Sequence, residues 1–181
     1  MRKLKLLVLL ILLPFSGIAQ TLEFTLGAGY TAVNIETLVD KDEVSGTTAE
    51  DWGQASYGIS AQYFLEPIGS VAFGGELMYQ YLYWYNVRVP YGTQPIRREY
   101  SVDAIKITPI ARFSAGENFS FDVGPTINVS DETNIGIMTS ANYNIFVSDN
   151  MDIPVKFRID FIGKKVAVIP ISLNIGIRLI L

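Results

Sequence analysis

The chain has 181 residues, 14 Lys+Arg against 18 Asp+Glu for a formal net charge of −4, and neither Cys nor His. Those two absences exclude disulfide staples, the usual zinc sites, Cys or His catalysis and the Ser-His pairs of most hydrolases. The length fits one domain, and an acidic balance argues against a nucleic-acid partner, which needs cationic surface to displace counterions from phosphate.

Arg2, Lys3 and Lys5, the apolar run Leu6 to Phe15 and the small-residue exit Gly17-Ile18-Ala19 form the pattern of a secretory signal peptide. Pro14 breaks the run, which falls short of the ~18 apolar residues of a spanning helix. Residues 1–19 are therefore expected to be cleaved and residues 20–181 to form the working domain. Removing those three basic residues leaves 11 Lys+Arg against 18 Asp+Glu, a net of −7.

Beyond Gln20 there is no helical period, and eight stretches alternate apolar and polar residues with period two. Leu22 to Thr31 sets Leu22, Phe24, Leu26, Ala28 and Tyr30 against Glu23, Thr25, Gly27 and Gly29. A polar segment from Thr37 to Gly53 follows, then Ala55 to Leu65 and a turn at Glu66-Pro67-Ile68-Gly69-Ser70. The third stretch, Val71 to Tyr85, carries Tyr79, Tyr81, Tyr83 and Tyr85 on one face. A second long loop is expected from Val87 to Glu99, before Tyr100 to Phe113. Phe119 to Val129, Ile135 to Val147 and Ile153 to Phe161 come next, separated by short turns. Ile169 to Leu181 closes the series with a large aliphatic residue at every odd position.

An even number of strands with alternating short turns and longer loops predicts an all-β, eight-stranded antiparallel up-and-down transmembrane β-barrel, the last stretch pairing with the first. A soluble lipocalin-like barrel also alternates. Two features favour the membrane form, with the apolar face outward. Phe24, Tyr63, Phe73, Phe113, Phe119, Phe121 and Tyr143 gather near one end and Tyr30, Tyr57, Tyr83, Tyr85 and Phe161 near the other, as two girdles. The opposite parity is small and polar, with Lys106, Arg112, Lys156, Arg158 and Arg178 nearly balanced by Glu23, Glu76, Asp122 and Asp160. A narrow lumen would hold these nine as paired charges, since an unpaired one costs several kcal/mol. Arg178 is expected to face Glu23 or another lumen acid. Pro109, Pro125, Pro154 and Pro170 lack ladder donors and are expected to mark bulges or strand ends.

Ala19-Gln20, Ile107-Thr108-Pro109-Ile110-Ala111-Arg112-Phe113, Val123-Gly124-Pro125 and Leu173-Asn174-Ile175-Gly176-Ile177-Arg178-Leu179 together resemble the porin-family small outer-membrane β-barrel proteins, of OmpX and OmpA architecture. The resemblance covers residues 20–181. It implies insertion by the outer-membrane assembly machinery into outer-membrane lipid, and no single shared activity.

Site chemistry is sparse. Gly27-Ala28-Gly29-Tyr30-Thr31-Ala32 matches a loose dinucleotide fingerprint but lacks the βαβ context, and reads as small residues on a lumen wall. Asp40, Asp42, Glu43, Glu50 and Asp51 make the first loop acidic without calcium-loop spacing, Val44 standing at a ligand position. Arg88, Arg97 and Arg98 make the second loop basic, with Tyr91 nearby. Either the two loops fold together as a lid or both stand free as charged surface.

No cofactor, metal or catalytic centre is expected, because the general base of membrane-embedded lipid hydrolases is missing. The expected role is structural, or contact with an unidentified extracellular ligand through the two loops, by a monomer. A small porin and a soluble periplasmic ligand-binding barrel are the alternatives, the former disfavoured because free conduction generally takes about sixteen strands.

Overall fold

The computed structural model describes residues 20–33, 48–89, 96–130, 133–163 and 168–181. Residues 1–19 lie outside them. Eight strands follow in order: β1 (Thr21–Val33), β2 (Thr48–Phe64), β3 (Val71–Val89), β4 (Ile96–Ser114), β5 (Phe119–Val129), β6 (Thr133–Ser148), β7 (Met151–Gly163) and β8 (Val168–Ile180). Each pairs antiparallel with the next, and β1 pairs with β8 from Thr21 opposite Ile180 to Val33 opposite Val168, so the sheet closes into a barrel. Closure removes the edges that hydrocarbon would not tolerate.

The period-two pattern becomes two surfaces because successive side chains point to opposite faces. In β5 burial alternates at every residue. Outside, Phe24, Leu26, Ile59, Phe73, Ile107, Phe121, Ile137, Phe157 and Ile175 are exposed, while Lys106, Glu23 and Asn142 are wholly buried inside. Soluble proteins rarely expose a contiguous apolar patch beyond a few hundred Å². Here the apolar surface runs around all eight strands, and a soluble ligand-binding barrel has these faces the other way round.

The short connections 65–70, 115–118 and 149–150 share one end, here the turn end. Gly69 (φ 63°) and Gly116 (φ 90°) supply left-handed positions there, which side chains rarely adopt. Aromatic rings gather above these turns: Phe119 lies 5.5 Å from Phe121 and meets Tyr143 edge-on at 6.2 Å. At the loop end Tyr57 stacks on Tyr81 at 6.5 Å, with 17° between the rings.

The loop boundaries differ from those expected. β2 begins at Thr48, β3 runs to Val89 and β4 starts at Ile96, so the second loop shrinks to 90–95, no longer than the turn 65–70. The polar residues from Thr48 and from Arg97 onward carry no apolar alternation of their own. They are strand because a long neighbour, β3, offers a ladder to both: Ala49 stands opposite Arg88, Asp51 opposite Asn86, and Asn86 in turn opposite Arg98.

Pro109 and Pro125 correct another expectation. Both lie inside their strands, and no bulge occurs at either. The β4–β5 ladder lapses between Ile107 opposite Ile127 and Ala111 opposite Val123, with three residues passing on each strand and no change of register. The two prolines thus fall opposite each other, and one gap accommodates both missing donors. Thr108 donates to Thr126 across this gap at 2.9 Å. Close approach here depends on Gly124, where a Cβ would stand 1.9 Å from the Pro109 carbonyl oxygen. Pro154 and Pro170 fall near the starts of β7 and β8, where the pairing between those strands also lapses. The register shifts lie elsewhere, between Trp52 and Ala55 and between Phe146 and Ser148.

Candidate functional site

The lumen is built from the inward positions of every strand. All nine charged residues singled out from the sequence are buried there, and they form two linked networks. Nearer the turn end, Glu23 of β1 stands opposite Arg178 of β8, which donates to its Oε2 from Nε and Nη2, both at 3.0 Å. Arg112 of β4 reaches the same oxygen at 3.2 Å, and Lys156 of β7 pairs with Glu23 Oε1. Arg112 also grips its cross-strand partner Asp122 through two parallel bonds of 2.7 and 2.8 Å, the bidentate geometry that makes arginine pairs strong. Its guanidinium rests 3.8 Å from the centroid of Phe64.

Farther in, Arg158 of β7 crosses the lumen to Glu76 of β3, with bonds of 2.6 and 2.7 Å from one nitrogen. Its Nε meets Asp160 at 3.0 Å, and Lys106 of β4 donates to Asp160 at 2.6 Å. Gln62 joins the two networks, donating to Glu76 at 2.7 Å while its carbonyl oxygen accepts from Lys156. Burying such groups is tolerable because each charge has a partner; removing one partner strands another.

Two members have no place in the sequence reading. Asp152, half-buried, has an oxygen 3.9 Å from Arg178 and brings the acids level with the five cations. It stands at a strand start, where it reads as turn. Gln62 is one of many neutral polar residues of its parity, and only the barrel's stagger, which sets the heights that face each other, selects it.

Among the loop residues expected to make surface contacts, Asp40, Asp42, Glu43 and Tyr91 lie outside the described residues. Glu50, Asp51, Arg88, Arg97 and Arg98 have their backbones in the loop-end portions of β2, β3 and β4. No group of His, Cys, Asp and Glu able to hold a metal occurs among the described residues.

A closed eight-stranded antiparallel barrel with an apolar exterior and a polar, ion-paired interior is the architecture of small transmembrane β-barrels. No protein-family model matches the chain, and no curated protein matches it in sequence. Solved structures do. Neisserial surface protein A is similar at 17% identity and a TM-score of 0.50, covering 90% of this chain and 98% of that one. Ail, the attachment invasion locus protein of Yersinia pestis, solved with the heparin analogue sucrose octasulfate, is 12% identical with a TM-score of 0.47 over 87% of this chain and 97% of its own. OprG, an outer-membrane protein of Pseudomonas aeruginosa, is 11% identical with a TM-score of 0.46 over 90% and 96%. At 17% identity the likeness to neisserial surface protein A establishes the fold alone.

Proposed function

We propose that the protein is an integral outer-membrane barrel that acts at its loop end by contact with an external partner, and neither as an enzyme nor as an open pore. The observation that carries this reading is the unequal height of the wall. Pairing of β1 with β2 stops at Gly29 opposite Ser56, and pairing of β4 with β5 starts only at Ile105 opposite Val129. β2, β3 and β4 continue together beyond those points, to Thr48 opposite Val89 and Arg88 opposite Ile96. A three-stranded sheet therefore stands above the closed barrel.

Its β4 border, Ile96 to Ala104, has no β5 partner among the described residues. At about 3.3 Å per residue that border is roughly 30 Å long. An unpaired edge is a template for strand addition by another chain, unless charge or cover blunts it. Against a pore stand the large side chains packed at mid-lumen: Lys106, Met78, Met138, Gln80 and Asp160 are each under 2% exposed.

The test compares cells lacking the protein, cells carrying it, and cells carrying a form in which residues 83–101 are replaced by a two-residue turn joining Leu82 to its partner Val102. Attachment to immobilised extracellular-matrix proteins is expected to require the intact extension. The shortened form should lose it while keeping membrane retention and heat-modifiable gel mobility. Unchanged attachment with the extension gone would overturn the reading.

A further inference from the structure

Among the described strand side chains, Asp103 is the one charged group that faces outward. It is exposed on the outward parity of β4, beside Ile105 and Ile107. It lies in one cross-strand row with Tyr57 and Tyr81. Its Oδ1 accepts a 2.5 Å bond from the Tyr79 hydroxyl, and Tyr57 and Tyr81 stack beside it. No Lys or Arg pairs with it among the described residues. Below this row the exterior is apolar; at this row it turns to tyrosine, the residue that sits at lipid headgroup level. A carboxylate there with no cationic partner among the described residues calls for a cation from elsewhere, and tyrosine faces attract cations as well.

We infer that Asp103, with Tyr57, Tyr79 and Tyr81 around it, seats the primary ammonium group of an amine-bearing lipid headgroup. The carboxylate receives the ammonium N–H donors, the tyrosine rings flank the charge, and Tyr79 fixes the carboxylate by its hydroxyl. A primary ammonium fits better than a trimethylammonium, which has no N–H to donate. An anionic headgroup is repelled. The inference rests on the membrane reading of the exterior and adds a lipid preference to it.

The test uses the full chain, reconstituted in bilayers of phosphatidylethanolamine, phosphatidylglycerol and phosphatidylcholine in equal parts and released into detergent for native mass spectrometry. The wild type should retain phosphatidylethanolamine over both others. Asp103→Asn should reduce that preference about fivefold, the scale of one exposed charge contact with an aromatic neighbour. Equal retention of the three lipids by the wild type, or an undiminished preference in Asp103→Asn, would overturn the inference. Failure to insert at all would instead refute the membrane reading, and heat-modifiable mobility of both forms separates the two failures.

Discussion

Replacing Glu23 with Leu is expected to cost about 3–5 kcal/mol of folding stability, the range for removing one partner of a buried ion pair. Glu23 is fully buried and is the acid on which Arg112, Arg178 and Lys156 converge. Without it three cations share Asp122 and the more distant Asp152. Urea titration of the barrel in micelles, read by tryptophan fluorescence and gel mobility, measures the loss. Glu66→Leu, at an exposed turn position, should shift stability by no more than about 0.5 kcal/mol. Adding Lys156→Met to Glu23→Leu should recover part of the loss, because an apolar pair is often as stable as the ion pair it replaces. A cost below about 1 kcal/mol for Glu23→Leu would mean the lumen charges are screened as they are at a surface.

Gly124→Val should be comparably damaging for a different reason. A Cβ at Gly124 would stand 1.9 Å from the Pro109 carbonyl oxygen, a backbone atom that cannot swing aside as a flexible side chain can. The ladder is already interrupted there, so the strands would part further at their weakest point. A loss above about 3 kcal/mol is expected, at the severe end for single substitutions. Gly116→Ala is the contrast: nothing lies within 4 Å of a Cβ there, and only the φ of 90° is strained, for about 1–2 kcal/mol. If Gly124→Val costs no more than Gly116→Ala, the close approach of β4 and β5 at the facing prolines is wrong.

The sequence carried the eight strands, their inward and outward faces and the β1–β8 seam. Each of these depends only on alternation and on the need to leave no edge in hydrocarbon. The height of β2, β3 and β4 was not legible, because residues such as Asp51 and Arg98 become strand only through the neighbour that pairs with them. Nor was the truce between Pro109 and Pro125, which depends on register, and register is a property of two strands. The inward parity of Arg158 follows from alternation, but its partner Glu76, 82 residues away, follows from barrel stagger. Asp103 sits on the apolar parity of its strand, and the tyrosines beside it come from β2 and β3, so alternation alone does not single it out.

In this barrel the apolar face meets lipid and the charged face does not. The chain has no cysteine, so single cysteines at Ile59, Ile107, Ile137 and Ile175, all about half exposed on four different strands, can each carry one environment-sensitive fluorophore. In reconstituted vesicles, brominated acyl chains should quench all four, and aqueous iodide should quench none of them while quenching a label at Glu66. Iodide quenching at the four strand positions, with no effect of brominated lipid, would contradict the account.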